Sequence, residues 1–417
     1  MMAIFSTPTT AQECRLSLDA LFRVADTGSS ELKALRSGTS AAREELSATE
    51  RGTWLPDVHV GAGAGYLGDG YGWGRDSSYS FTVAMPHFST RFGIEAQQVL
   101  YAGGALQSAR RQAELGVRLS ELGYEQRRQE IRLQLAGLYM DLYCSLRSHE
   151  VYDSNIALTQ RLIDDIRVRR EQGTALRNDL TRYELQIATL RMQRTRVEND
   201  IDITGRRIVT LAGLPEGTRV VPDSSFLADR IPADGGIPLA VQMADVRMEM
   251  AGQQERQSRA AMLPTVSVVA QDQLTGPVTI DITPYDINYN WWFVGLQLDY
   301  NLSNLWKSRP AVRSARMRRE QSAYERQCAD EQSRRAVGEA LIRLDEAGRN
   351  LVTQRKSMEL AVQNYTLVAD RYANNLALLV DMLDAANTRL AAELDLVKAR
   401  VEVAYRACYL DYLNGKL

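Results

Sequence analysis

The chain has 417 residues and is close to neutral, with 50 Lys and Arg against 52 Asp and Glu and a formal net charge of −2. Its basic residues are interspersed with acidic ones, so the clustered positive charge of a nucleic-acid-binding protein is missing. The sequence contains no run of 18 apolar residues, and a transmembrane helix is therefore not expected.

Residues 1–11 are similar to the end of a secretory signal peptide, with an apolar start, small residues after it and Gln12 as the mature start. A basic residue and a full apolar core are lacking. We therefore interpret the segment as a signal-peptide remnant, with an ordinary chain terminus as the alternative. Cys14 is a poor match to a lipidation motif, and no lipid anchor is predicted there.

A helix is expected from residue 16 to about 53, because apolar residues recur at helical spacing from Leu18 onward. The Leu55-Pro56 pair ends it. From Asp57 the period changes to two, and four segments alternate apolar residues with polar or very small ones: about 57–67, 91–101, 265–275 and 291–301. The segments between them, about 68–80 and 276–290, are expected to be loops. Such alternation is typical of membrane-barrel strands, although a sheet with one wet face gives the same pattern.

Two long helices without proline follow the strands, at about 104–172 and about 311–374. Each would extend roughly 100 Å at about 1.5 Å per residue. Reversals at Gly173 and Asn375 lead into returning helices of about 35–40 residues. A hairpin of this kind cannot bury its apolar stripe alone, and four strands cannot close a barrel, so we expect a closed cyclic oligomer.

The same order of elements occurs twice, at a spacing of about 200 residues. TWLPDVHVGAGAGY from Thr53 is echoed by AMLPTVSVVAQDQ from Ala261, and RREQGTALRNDL from Arg169 by RYANNLALLVDM from Arg371. We therefore divide the chain into a first repeat (12–213), a linker (214–236) and a second repeat (237–417). Each repeat comprises a helix, two strands and a long helical hairpin, with tips near residues 173 and 375.

The segment RYANNLALLVDMLDAANTRLAAELDLVKARVEVAY, the paired LP strand starts and the YAGG and LWKSRP exits from strand to helix resemble those of TolC-type outer-membrane factors. The resemblance covers residues 16–417, essentially the whole chain. It implies a mainly α fold with a membrane β-barrel, in which a homotrimer forms a 12-stranded outer-membrane barrel continuous with a periplasmic α-helical coiled-coil tunnel. The linker would be part of an equatorial domain, ordered by packing rather than by regular structure.

The same resemblance implies a passive exit duct for small molecules, located in the cell outer membrane and extending into the periplasm. Its partners would be further copies of the chain, outer-membrane lipid, a periplasmic adaptor (membrane fusion) protein and an inner-membrane pump of the RND or ABC type. Two alternatives stay open: a type I protein secretion outlet and, from another class, a soluble helical scaffold protein.

No catalytic residue, cofactor or metal site is predicted. The three histidines are scattered, and phosphate-binding loops and nucleophile motifs are missing. Four methionines near residue 250 could be imagined as soft-metal ligands, but helix packing explains them more simply. A disulfide between Cys144 and Cys408 and four unpaired cysteines are both compatible with the sequence.

Asp381 and Asp384 are three residues apart on a helix that starts after the second turn, so they share one face. Taken alone, they suit a solvated helix start, where acidic residues are favoured. The resemblance implies instead a periplasmic gate, in which three chains form a carboxylate ring that concentrates cations. Tyr372 would belong to this gate, hydrogen-bonded to Asp179 or Asn178 of the first hairpin in the closed state.

The turns at the two hairpin tips are predicted to dock the adaptor, because they combine small and apolar residues at the far end of a rigid rod. They comprise Gly173, Thr174, Ala175 and Leu176 in the first hairpin and Asn375, Leu376 and Ala377 in the second. The best-known members of the resembling family carry an Arg where this chain has Ala377. This departure puts the ion pair that latches those pores in doubt, and closure would then rest on Tyr372 and packing.

Overall fold

A computed structural model describes residues 13–172, 177–227, 236–280, 283–374 and 376–417. The predicted signal-peptide remnant (1–11) lies outside the described residues, as do residues 173–176 and Asn375 of the predicted tips. Among the residues that the structure describes, no helix combines the length and apolar character needed to cross a bilayer.

Helices dominate the described part of the chain. They are α1 (Leu18–Gly28), α2 (Ser30–Trp54), α3 (Ala105–Glu171), α4 (Arg177–Ala212), α5 (Leu239–Ala260), α6 (Asn304–Lys307), α7 (Arg309–Ala373) and α8 (Leu379–Leu413). The strands are β1 (Glu13–Leu16), β2 (Asp57–Tyr66), β3 (Gly70–Trp73), β4 (Ser80–Val83), β5 (Phe88–Ala102), β6 (Arg219–Pro222), β7 (Thr265–Gly276), β8 (Val278–Ile280), β9 (Thr283–Tyr285) and β10 (Tyr289–Asp299). The long helices α3 and α7 have 67 and 65 residues, and the returning helices α4 and α8 have 36 and 35.

The chain folds as two compact units, and each takes residues from both predicted repeats. Unit 1 comprises residues up to 37, 121–243 and 327–417, and unit 2 comprises 38–120 and 244–326. The main core of unit 1 is formed by α1, α3, α4 and α8, with Leu21, Ile131, Leu135 and Ile208 fully buried at its centre.

The helix expected over residues 16–53 is in fact two helices, α1 and α2, separated at Ser29. Ser29 is extended, with ψ 123°, and its N–H donates to the carbonyl of Ala25 at 3.0 Å. The reason for the break is tertiary. Gly28 lies against Gly213, and a side chain on either glycine would overlap the backbone of the other segment. Gly213, with φ +68°, also ends α4 in the left-handed conformation that glycine adopts without strain.

The predicted linker contains regular structure, contrary to the expectation. β6 pairs in parallel with β1, and a short 3-10 helix follows at Ser225–Leu227. The buried Tyr139 of α3 ties both segments down. Its hydroxyl donates to the carbonyl of Leu16 at 2.7 Å and accepts the N–H of Asp223 at 2.8 Å. Strands of four residues have too little periodicity to be predicted locally, and it is their packing on α3 that orders them.

Asp26 of α1 joins two arginines of α3. Its Oδ2 lies 3.0 Å from a guanidinium nitrogen of Arg128 and also accepts from Arg132. Burial alone would raise the pKa of Asp26, but the hydrogen bonds from Arg132 and Arg128 outweigh it and hold the pKa below its ordinary value. The carboxylate is thus favoured as the charged form in the folded protein.

We expect Asp26→Asn to lower the free energy of unfolding by about 1–3 kcal/mol at neutral pH, because two arginines lose a charged partner. A lowered folded-state pKa gives stability above the unfolded-state value, near 4, which is lost as the pH falls through the folded-state value. The difference between the two proteins should therefore shrink as the pH falls below about 4. Urea melts at pH 7 and pH 3 measure it, with the exposed Asp19→Asn as control. A difference as large at pH 3 as at pH 7 would contradict the ion-pair explanation.

Unit 2 is built on one antiparallel sheet with the strand order β10-β7-β5-β2. Its register places the helix-connected ends of all four strands at one edge, at Asp57, Ala102, Thr265 and Asp299, which we call the helix-side edge. The expected loops at about 68–80 and 276–290 are not without structure, since they contain the hairpins β3-β4 and β8-β9. In the first hairpin, the ring of Phe81 lies over Gly72, a local contact that the loop composition did not indicate.

The register of this sheet also sorts its side chains onto two faces. Val60 lies opposite Ile94, and Leu296 opposite Val268. These residues belong to an exposed apolar face. The opposite face carries the polar side chains of Glu95, Gln271 and Gln297, among others. In a single chain the apolar face is uncovered, and Leu296 is 72% exposed.

Candidate functional site

The ends of α3 and α7 and the starts of α4 and α8 meet in unit 1 and contain most of the predicted gate residues. A small core holds them together, formed by Ile163, Ile166, Leu180, Tyr183 and Ile187, with Leu379 and Leu383 of α8 packed against it. Because this core includes side chains of α3, α4 and α8, it fixes the first hairpin against the start of the second returning helix.

Tyr372 of α7 is half-buried and lies under the guanidinium group of Arg169, which is 5.1 Å from the ring centroid. Arg169 also pairs with Asp165 at 3.0 Å. Burial raises the pKa of Tyr372, and Arg169 opposes this rise. The cation–π contact links the two long helices. The sequence analysis did not single out Arg169. The alignment of the two repeats places it opposite Arg371, the neighbour of Tyr372, and this was the available indication that Arg169 lies near the gate.

Asp179 of α4 is half-buried and lies near enough to Tyr372 and Tyr183 for its charge to raise the pKa of both phenols. Burial is the larger cause for each. Asn178, the neighbouring residue, is exposed. The structure thus brings Asp179 and Tyr372 together, and their hydrogen bond in the closed state stays a prediction. Tyr183, which the sequence did not single out, buries its hydroxyl without a hydrogen-bond partner among the described residues.

The two predicted ring carboxylates, Asp381 and Asp384, lie on the first turns of α8 and are exposed. Asp381 has a second role, because its Oδ2 accepts the backbone N–H of Leu378 at 3.1 Å and so caps the helix. Asp384 has no hydrogen-bonding or charged partner in the described part of the chain. Its charge is therefore not balanced by any of the described side chains.

A second link between helices lies further along the hairpins. The guanidinium group of Arg389 stands 4.2 Å from the ring centroid of Tyr365, and the side-chain amide of Gln186 donates to Asn387 at 2.6 Å. These contacts connect α7 with α8 and α4 with α8. Sequence analysis gave no signal for them, since each pairs residues on different helices.

The second turn leaves apolar side chains uncovered. The N–H of Leu376 donates to the carbonyl of Arg371 at 2.7 Å, a bond that closes the end of a helix. Leu376 is 76% exposed, Leu378 72% and Val380 47%, while Ala377 is half-buried. The predicted docking residues of the first turn, at 173–176, and Asn375 lie outside the described residues.

No disulfide joins the four cysteines: Cys14 and Cys144 are half-buried, Cys328 is exposed and Cys408 is buried. Of the two arrangements compatible with the sequence, the structure therefore has the one without a bond between Cys144 and Cys408. Within the described ranges, no group of three or more His, Cys, Asp or Glu side chains is placed to hold a metal ion. What the site offers is charge and apolar surface at the end of a helical bundle.

The model of the outer membrane efflux protein family matches residues 22–214 and 239–414. The chain belongs to the outer membrane efflux protein family. No curated protein matches it. The predicted family is therefore confirmed, and it is a family of channels rather than of enzymes.

Solved structures of outer-membrane channels share the fold of this efflux channel. VceC of Vibrio cholerae is 15% identical, with a TM-score of 0.79 and 96% of each chain covered. The outer-membrane channel OprN is 17% identical, with a TM-score of 0.77 over 100% of this chain and 98% of OprN. CusC is 13% identical, with a TM-score of 0.80 over 99% of this chain and 96% of CusC.

The mainly α fold, the outer-membrane location and the efflux function predicted from the sequence are confirmed by this membership and these structures. The efflux channel lies in the outer membrane, extends into the periplasm and serves a tripartite system with an adaptor and an inner-membrane pump. A soluble scaffold protein is thereby excluded.

Proposed function

We propose that this efflux channel works as a homotrimer and a passive duct, through which small molecules leave the periplasm without a catalytic step. Three sheets would close into one 12-stranded barrel, and three pairs of helical hairpins would form a tunnel. The division into repeats at 12–213, 214–236 and 237–417 belongs to the same proposal, since a tandem duplication gives each chain two similar hairpins.

The sheet of unit 2 is the observation that carries this proposal. Its edge strands are β2 and β10, and exposed edges pair readily with another chain. Four strands are too few to close a barrel alone. The outer strand β10 also exposes Val294, Leu296 and Leu298 by 61%, 72% and 68%, which is costly in water and suits lipid. Pairing β10 of one protomer with β2 of the next removes both edges at once.

The same symmetry supports the gate. Asp384 lacks a partner among the residues that the structure describes, and Asp381 lies one turn before it on the same face of α8. Three copies around one axis would bring these carboxylates into a ring that attracts cations and binds them across protomers. Tyr372, held under Arg169, would help keep the hairpins together in the closed state, together with Asp179 and Asn178.

The proposed partners follow from the exposed surfaces. The apolar face of the sheet would meet outer-membrane lipid. Leu376 and Leu378, together with the predicted tip residues 173–176, would meet a periplasmic adaptor, which in turn joins an inner-membrane pump of the RND or ABC type. Because the proposed tunnel is wide and polar, the pump rather than the channel would select the substrate. With a pump that transports proteins, the channel would serve as a type I secretion outlet.

Two neighbouring substitutions on β10 test the barrel. Leu296→Arg puts a charge on the apolar face, and we expect it to destabilise the inserted trimer by about 2–4 kcal/mol. Gln297→Arg adds the same charge to the polar face and should be tolerated. Membrane extraction followed by gels of unheated samples measures the yield of trimer.

Wild-type protein that migrates as a monomer on these gels after gentle extraction would contradict the proposed trimer. Equal trimer yields for Leu296→Arg and Gln297→Arg would overturn the assignment of the apolar face to lipid. Conductance of the purified protein in planar bilayers then separates an open duct from a sealed scaffold.

A further inference from the structure

An arginine-rich cavity of about 580 Å³ lies in unit 2, between the start of α3 and the end of α5. We call it the arginine cavity. Its charged lining consists of four arginines and one glutamate, a formal excess of three positive charges: Arg110, Arg111, Arg256, Arg259 and Glu114. The proposed gate does not include these residues, so their role has to be sought in the cavity itself.

Most of the arginines already have partners. Glu114 accepts from Arg111 at 2.9 Å and pairs with Arg110 at 3.3 Å, and Arg259 pairs with the buried Glu255. The other acidic groups nearby are Glu50, which faces Arg110, and Glu249, which faces Arg111. Arg256 is exposed and has no hydrogen-bonding or charged partner in the part of the chain that the structure describes. The named acids equal the four arginines in number, but Glu255 is shared with Arg319 of α7. The guanidinium group of Arg256 is therefore the one that is left for a ligand.

Close backbone packing builds the wall of the cavity. Gly103, between β5 and α3, has φ +63°, and a Cβ there would lie 2.7 Å from the Cβ of Leu263 and 2.9 Å from the carbonyl oxygen of Ala260. Only glycine allows the strand exit to approach the end of α5 so closely. This approach sets the N-terminus of α3, which favours anions, beside Arg256 and Arg259.

The cavity borders the helix-side edge of the sheet, and this edge is rich in exposed apolar side chains. Leu263 lines the cavity itself and is 47% exposed. Trp54 is 75% exposed and Trp306 59%, and Tyr101 ends the apolar run of β5. Aromatic residues of this kind mark the level where a membrane meets water. In an inserted barrel, arginines just beyond such aromatic residues would lie at the depth of lipid phosphates.

We propose that the arginine cavity binds the phosphate of an anionic phospholipid from the periplasmic leaflet. Arg256 and Arg259 would hold the phosphate by charge-assisted hydrogen bonds, and Leu263 would contact the apolar start of the lipid. The lipid would then seal the junction between barrel and helices. This inference rests on the proposed barrel, whose helix-side edge faces the periplasm.

The test uses purified wild-type trimer, Arg256→Gln and the matched control Arg318→Gln. Arg318 is an exposed arginine of α7 whose side chain has no partner among the described residues. Each is titrated with short-chain phosphatidylglycerol, short-chain phosphatidylcholine and inorganic phosphate, and native mass spectrometry counts the bound molecules. We expect phosphatidylglycerol to bind wild type at least about tenfold more tightly than the other two, and Arg256→Gln to lose about tenfold. Arg318→Gln should bind like wild type.

Equal binding of phosphatidylglycerol to wild type and Arg256→Gln would overturn the site. If inorganic phosphate binds as tightly as phosphatidylglycerol, the ligand is not specifically a lipid and the cavity is a site for free anions. A preference for phosphatidylcholine would contradict the role of charge. Only protein that migrates as a trimer is titrated, so a failure of the lipid site is distinct from a failure of the trimer.

Discussion

Replacing Asp381 and Asp384 together by Asn is expected to abolish most of the block that polyvalent cations exert on the reconstituted channel from the periplasmic side. A trivalent cation gains about 3 kcal/mol from one carboxylate 4 Å away, even at the dielectric constant of water. Losing that much weakens the block on the order of a hundredfold. Single-channel conductance with increasing hexamminecobalt measures the change.

Asn is preferred to Ala in this variant, because its side-chain carbonyl can still accept the N–H of Leu378 that Asp381 caps. Asp395→Asn, an exposed acid further along α8, is the matched control and should leave the block unchanged. Block at micromolar cation in the double variant would show that the ring is formed by other residues. A block that is lost equally in Asp395→Asn would indicate a general effect of charge on the tunnel.

The strands and long helices of this channel are readable from the sequence because each has a period that packing enforces along its whole length. Alternation over 57–67 corresponds to β2 at Asp57–Tyr66, and the proline-free run at about 104–172 corresponds to α3 at Ala105–Glu171. In both elements one face carries mostly apolar side chains and the other mostly polar or small ones. The spacing of apolar residues along the sequence therefore predicts the type of element.

The features that the sequence did not reveal depend on contacts between distant segments. β1 and β6 are four-residue strands that join residues far apart in the chain, and the break between α1 and α2 depends on Gly213. No local period distinguishes such segments from loops or from continuous helix. Their positions follow from the packing of the whole unit rather than from propensity.

The candidate gate also combines features that local spacing predicts with features that depend on contacts between distant segments. The spacing of Asp381 and Asp384 indicates a shared face, and both residues lie exposed on α8. The stacking of Arg169 on Tyr372 joins two helices from different repeats, and a single sequence contains no signal for this pairing beyond the repeat itself. The ring across protomers stays a prediction, since it depends on the trimer.

Export should be lost when the exposed leucines of the second turn are made acidic. Leu376 and Leu378 are 76% and 72% exposed, and burying each against an adaptor would contribute about 1.5–3 kcal/mol. Changing both to Glu should therefore weaken docking at least on the order of a hundredfold. The proposed contact between the tip and the adaptor is small and is stabilised by the other contacts of the assembled pump. A hundredfold weaker contact should therefore prevent assembly.

Cell-based efflux with the adaptor and pump present measures this loss, and gels of unheated samples monitor the trimer. Leu185→Glu is the matched control, because Leu185 is 69% exposed on α4 but lies away from the turn. It should leave export intact. Export that survives the double change would contradict docking at the second turn. Loss of the trimer in Leu376→Glu/Leu378→Glu would show that the leucines stabilise the channel itself, because an adaptor contact cannot affect the purified trimer.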